Sequence, residues 1–232
     1  MLLQHKTEKQ NLKQIWSIFG KDPSVFELEF RFTNKINRNQ FTKLLSRLQA
    51  LPNYSEMQVD EYMTVSYTEN GKQLHVRHTI PNDELVNYCN RIFSYNTYET
   101  DFKYPVYIDG KSQHMQLNEY PIRCNLKYEV SWSRASNQFA ITDAIDPDTT
   151  RTIEKEAKHT YDDKMKKFRN IKRFSFVTSD GFFRIDCSML KMNTDPVHHI
   201  TSGDLHTVPA QFEVEIECLR ESSVLDIKTL EE

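Results

Sequence analysis

Bulky apolar residues recur with period two along much of this chain. Phe26, Leu28, Phe30 and Phe32 alternate with Glu27, Glu29 and Arg31, and Leu74, Val76 and Ile80 alternate with His75, Arg77 and Thr79. Ile122, Cys124, Leu126, Tyr128 and Val130 alternate with Arg123, Asn125, Lys127 and Glu129. Near the end, Phe174 and Phe176 flank Ser175 beside Arg173; Phe183, Ile185 and Cys187 flank Arg184 and Asp186; Phe212, Val214, Ile216 and Cys218 flank Glu213, Glu215 and Glu217. Side chains of a strand point alternately to its two faces, so each segment predicts a strand with one apolar and one charged face. A half-exposed antiparallel sheet also alternates. Here, however, the polar positions gather carboxylates and guanidinium groups, not the usual mixture of Thr, Ser, Lys and Gln. The expectation is an α+β fold: a closed antiparallel eight-stranded β-barrel with a polar, charged interior, its apolar faces turned outward against flanking helices.

Helical spacing appears at Leu12, Ile15, Trp16 and Phe19, in an N-terminal helix expected within residues 1–20, and at Phe41, Leu44, Leu45, Leu48 and Leu51 after the cap-like Asn39. A shorter helix is expected through Leu85, Tyr88, Cys89 and Ile92, and a charged surface helix over Thr149–Phe168. No Gly/Ser tract or repeat divides the 232 residues, which read as one domain, with 221–232 as a link to later domains.

Composition changes this picture in two ways. A hydrophobic share of 38% beside 27% charged residues fits a soluble fold that encloses something polar. The formal net charge of -3 argues against a general nucleic-acid coat, leaving a partner read at one end. No run of eighteen apolar residues predicts a membrane span. Cys89, Cys124, Cys187 and Cys218 lie far apart with no Cys-x-x-Cys pair and are expected to be reduced core residues in an intracellular protein.

The charged faces suggest the chemistry. Glu27 and Glu29 are two apart on one strand face, with carboxylates rooted ~7 Å apart, and Glu213, Glu215 and Glu217 form a second row. Such rows repel unless a cation intervenes, and hard oxygen donors favour Mg²⁺ or Mn²⁺. Arg31, Arg77, Arg123, Lys127, Arg173 and Arg184 fall on the same faces and can hold a polyanion. Phosphoryl transfer to a water aligned by Glu215 needs little beyond positioning and charge neutralisation. No Gly-x-x-x-x-Gly-Lys-[Ser/Thr] loop, cysteine phosphatase loop or Lys-x-Asp-Gly motif is present, which argues against P-loop, thiol-nucleophile and nucleotidyl-lysine chemistries. The basic run Lys164, Lys166, Lys167, Arg169, Lys172 and Arg173 could steer an RNA end.

The segments Phe26–Phe32 and Phe212–Glu217, with Arg77, the Arg123–Glu129 strand, Lys172–Phe176 and Arg184–Asp186 in order between them, resemble the metal-dependent RNA 5′-triphosphatases among the triphosphate tunnel metalloenzymes, as found in viral capping systems. The resemblance spans roughly residues 20 to 220. It implies Glu27, Glu29 and Glu217 as metal ligands, Glu215 as the residue that holds the attacking water, and Arg77 with Lys172 or Arg173 on the γ-phosphate, Asp186 and Glu213 completing the catalytic set. Period two favours Arg173 over Lys172. The implied reaction is removal of the γ-phosphate from 5′-triphosphate-ended RNA in cap formation, with guanylyltransferase and methyltransferase domains elsewhere and a viral factory or virion as the setting. Hydrolysis or cyclisation of small triphosphates such as nucleotides, and non-catalytic binding of a polyphosphate, are the alternatives. Arg31, where small-triphosphate relatives commonly carry Lys, favours RNA.

Overall fold

The period-two segments form strands, and these join into one antiparallel sheet. The computed structural model describes residues 2–20, 26–68, 75–89, 99–105, 107–108, 111–112, 114–117, 121–133, 138–139 and 165–219. Helix α1 (Leu2–Phe19) precedes β1 (Phe26–Phe32), α2 (Arg38–Ala50), β2 (Gln58–Thr68), β3 (His75–Pro81) and the short α3 (Leu85–Cys89). Then come β4 (Glu99–Pro105), the small hairpin β5 (Tyr107–Ile108) and β6 (Lys111–Ser112), β7 (His114–Leu117), β8 (Ile122–Ser133) and β9 (Gln138–Phe139). The long strands β10 (Lys167–Val177), β11 (Phe183–Met192) and β12 (Gln211–Cys218) complete the sheet.

The expected closed eight-stranded barrel is corrected. The sheet has ten strands, ordered β1-β12-β11-β10-β2-β3-β4-β8-β7, with β9 paired to β8 off that path and a further pairing between β1 and β8. The physical reason lies in β8. At 12 residues it is long enough to serve several neighbours: β1 pairs along Ile122–Tyr128, β7 along Ile122–Asn125, and β4 along Lys127–Trp132. Strands as short as β7 and β9 are too brief to show alternation in a sequence. The charged surface helix expected over Thr149–Phe168 is corrected at its end, because Lys167 and Phe168 open β10; its first part lies outside the described residues, as do Leu74, Ile92 and residues 221–232.

Both longer helices pack on the apolar face of the sheet, as the alternation requires. Ile15 and Phe19 of α1 are buried with Phe26, Leu28, Met115, Cys124, Leu126 and Cys218. Phe41 and Leu48 of α2 are buried with Phe176, Cys187 and Val214, and the Phe41 ring lies 4.8 Å from that of Phe212. Burial pushes the Cys124 and Cys187 thiols up to about 12, keeping them as inert core thiols. Cys89, by contrast, is exposed, which corrects the expectation of four core cysteines.

Helix α2 starts at Asn37, two residues before the predicted cap. The Asn37 side chain accepts from the Gln40 backbone N–H at 3.0 Å while the Gln40 side chain accepts from the Asn37 N–H at 3.0 Å, a reciprocal capping box. Asn37→Ala should cost about 1 kcal/mol, lowering the thermal midpoint by ~2–4 °C. Thermal unfolding of the variant beside the natural chain checks this.

Candidate active site on the polar face

The strand registers carry one polar face from strand to strand. Arg31 is opposite Glu215 on β12 and Arg123 on β8; Glu29 is opposite Glu217 and Asn125; Glu27 is opposite Lys127. Across β11, Arg184 meets Glu217, Asp186 meets Glu215, and Ser188 meets Glu213. Arg173 and Ser175 of β10 continue the face opposite Ser188 and Asp186. Arg77 reaches it from β3 opposite Ser66. This face is shielded from water: Glu29 is 5% exposed and Asp186 2%. An open, solvated sheet would leave such carboxylates wet.

The register sets like charges against each other, Glu29 against Glu217, Asp186 against Glu215, Arg31 against Arg123, an arrangement that destabilises a bare sheet. Diagonal and direct ion pairs offset part of the cost. Lys127 Nζ is 2.7 Å from Glu29 Oε1 and 3.9 Å from Glu27 Oε2, and Asn125 Nδ2 donates to the same Glu29 oxygen at 3.0 Å. Arg184 reaches Glu217 at 2.5 Å and donates from Nε to both Asp186 oxygens at 3.0 and 3.1 Å. Arg173 lies 3.5 Å from Asp186, which also accepts from Ser175 Oγ at 2.7 Å. Arg31 pairs with Glu215, and Arg169 with Glu213 at 2.8 Å.

Two glutamates respond in opposite directions. Burial works to raise Glu29, but Lys127 and Arg31 outweigh it and hold the carboxyl below its ordinary range. Burial raises Glu215 and Glu29 and Glu213 add repulsion, so it stays above its ordinary value despite Arg31 and Arg173. A carboxylate tuned upward beside one tuned downward is the division expected between a proton-accepting group and a cation ligand.

The basic run of β10 divides by function. Lys166 is buried and donates to the His198 carbonyl at 3.0 Å, while Lys167 donates to that of Asn193 at 3.1 Å; both tie down the Asn193–His199 loop. Arg169 and Arg173 lie on the polar face. Lys172 lies on the opposite one, paired with Glu61 and 5.9 Å from the Phe174 ring centroid. Of the alternatives Lys172 and Arg173, only Arg173 is therefore on this face, since adjacent residues of a strand point opposite ways. Arg169, read in sequence only as part of a basic run that could steer an RNA end, shares the face of Arg173, as its even spacing signals. Tyr62, with Arg173 Cζ 5.4 Å from its ring centroid, is on the same face and was not singled out in sequence. Val59, Met63, Val65 and Tyr67 are spaced by two or four and carried the signal for β2.

The face offers unsatisfied donors. The Nε groups of Arg31, Arg123, Arg169 and Arg173 are buried without a hydrogen-bond partner. Each such group costs ~1–3 kcal/mol, and an anion rich in acceptor oxygens relieves several at once. For a metal, the donor chemistry fits: Glu27, Glu29 and Glu217 are oxygen donors on adjoining strands, the first two already sharing an ammonium. Among the described residues, no three acidic, histidine or cysteine side chains are gathered at ligand distance; the carboxylates are instead held by Lys127 and Arg184.

No family model matches this chain, and a search of curated proteins found no match. Solved structures do match. The mimivirus capping enzyme triphosphatase, in monoclinic and triclinic crystals, aligns at a TM-score of 0.68 in each, with 18% and 19% identity, over 97% of this chain and 93% and 92% of those chains. The chain has the fold of that triphosphatase. A further structure, titled as the RNA triphosphatase domain of a trifunctional mimivirus mRNA capping enzyme, aligns at 0.65 with 18% identity, over 97% of this chain and 92% of that one. The triphosphatase fold accounts for the whole described sheet. No helix among the described residues is long and apolar enough to cross a membrane.

Proposed function

We propose that this chain hydrolyses the γ-phosphate of 5′-triphosphate-ended RNA, leaving a 5′-diphosphate end for capping. The carrying observation is the set of buried arginine Nε groups without partners beside a buried, upward-shifted carboxylate. A bare anion trap needs the first and not the second. The triphosphatase fold adds to the reading, and the trifunctional enzyme to which one structural neighbour belongs suggests linked guanylyltransferase and methyltransferase domains and a viral setting for this chain.

In this reading Arg31, Arg123, Arg169 and Arg173 turn their free donors to phosphate oxygens, with Arg77 and Arg184 adding positive charge. Glu27, Glu29 and Glu217 would hold Mg²⁺ or Mn²⁺, which supplies charge neutralisation at the terminal phosphate. Arg31, drawn to the phosphates, loosens its hold on Glu215, and that carboxylate orients the attacking water and accepts its proton. Asp186 keeps Arg184 and Arg173 aligned, and Glu213 does the same for Arg169.

The test is phosphate release from triphosphate-ended RNA, ATP and tripolyphosphate with Mg²⁺, Mn²⁺ or chelator. Metal-dependent release from RNA is expected; turnover confined to small triphosphates would move the substrate, and no turnover would leave a binding module. A pH profile adds a second check. Glu215 acts as the carboxylate, so its raised pKa should put the acid limb of the rate above the ordinary glutamate value of 4.5. Arg31→Met, which removes a favourable charge, should move the limb further up.

A further inference from the structure

Lys127 is an unusual neighbour for a pair of metal-binding carboxylates. Its ammonium is 2.7 Å from Glu29 Oε1 and 3.9 Å from Glu27 Oε2, so it stands between the two groups assigned to a divalent ion. Paired carboxylates call for a cation, and the protein supplies one of its own. The lysine is only partly buried, with 29% of its side chain exposed. Such a contact is easily broken in a way that a fully buried pair is not. Asn125 donates to the same Glu29 oxygen at 3.0 Å, so Glu29 keeps an orienting partner once the ammonium leaves.

Resting on the metal-dependent reading above, we propose that Lys127 is a resident surrogate cation, which the divalent ion must displace from Glu27 and Glu29 and which then becomes available to the incoming phosphates. Ion entry is thus an exchange of cations, not an addition. Three features agree with it. The displaced ammonium stays on the polar face, since Lys127 is directly opposite Glu27 in the register. It leaves from a four-carbon stem with three donors and no fixed plane, suited to swinging between partners. Arg123, four residues back on the same face, already presents a donor without a partner, so the freed lysine joins an anion site that exists before it arrives.

The experiment is Mn²⁺ binding to the full chain without RNA, read from the loss of the free-ion electron paramagnetic resonance signal. Natural protein, Lys127→Met, Lys127→Arg and Glu29→Gln are compared. If Lys127 competes with the ion, Lys127→Met binds Mn²⁺ about tenfold or more tightly than the natural chain, Lys127→Arg binds close to it, and Glu29→Gln binds little. The rise in thermal midpoint on adding Mn²⁺ supplies a readout that a purely structural lysine would not move. Without ion, Lys127→Met should melt below the natural chain, and saturating Mn²⁺ should raise its midpoint by more than it raises the natural one. Should Lys127→Met fail to fold without ion, Lys127→Gln takes its place in both measurements. Equal or weaker Mn²⁺ binding by the neutral variant, with natural uptake lost in Glu29→Gln, would overturn the displacement and leave the metal reading standing. Absence of Mn²⁺ binding in every protein would overturn both.

Discussion

Replacing Glu215 with alanine should lower phosphate release from triphosphate-ended RNA by a factor on the order of 10³ while leaving the chain folded. The size follows from its position. Glu215 is directly opposite Arg31 on one neighbour and Asp186 on the other, and burial with the repulsion of Glu29 and Glu213 shifts its ionisation upward. Removal loses both the proton acceptor and the group that holds Arg31 ready. Truncation relieves the burial cost of the carboxylate but leaves Arg31 without its partner, so the thermal midpoint is measured beside the rate. Glu215→Gln separates the two roles: it retains hydrogen bonding to Arg31 but accepts no proton. Its rate should fall nearly as far as that of the alanine variant, with KM changed by only a few fold. Single-turnover phosphate release with circular dichroism as the folding control checks this, and a glutamine variant at near-natural rate would remove Glu215 from the chemistry.

The second large effect is a contrast between neighbours. Arg173→Ala should reduce kcat/KM by ~10²–10³, while Lys172→Ala stays within a few fold of the natural chain. Arg173 faces Asp186 and Tyr62 with its Nε buried and without a partner, whereas Lys172 meets Glu61 on the solvent side. A partly exposed pair such as Lys172–Glu61 contributes ~0–1 kcal/mol. Arg169→Ala should fall between them, because it leaves Glu213 without its 2.8 Å partner. Steady-state kinetics on the three variants decides the matter, and a Lys172 loss equal to that of Arg173 would mean that β10 presents its other face to substrate.

How much of this was legible in the chain varies with the physics of each segment. β1, β8, β11 and β12 announce themselves because strong apolar residues alternate with charges, and the same parity that predicts a strand also assigns its faces; Glu29, Glu215 and Arg173 are all where period two puts them. β2 has the alternation too, but its polar positions hold Asp60, Tyr62, Thr64 and Ser66, a mixture that reads as an ordinary strand, and so Tyr62 went unnoticed. Phe168 was assigned to a helix because a run of lysines resembles a solvated helical face, whereas Lys166 is drawn inward by the carbonyl of His198, a loop contact no local pattern reveals. Pairing is the least legible feature. The three neighbours of β8 depend on which strands compete for its edges, and a period states faces, not partners. The relief of the carboxylates is hidden for the same reason: repulsion within a row is visible in sequence, but the cross-strand Lys127 and Arg184 that offset part of it are not.

The two faces of each strand answer to different demands. Residues such as Phe26, Leu28 and Phe176 are buried on one side with helices α1 and α2, and exchanging them disturbs the wall. Residues one step away meet the charged groups of neighbouring strands. A lineage can therefore revise the inner positions with little consequence for assembly of the wall, and revise the outer ones, with compensating changes in the helices, without touching the chemistry. The same separation makes the fold a suitable scaffold for redesign, in which a new polyphosphate preference could be selected from libraries confined to alternate positions of β1, β10, β11 and β12.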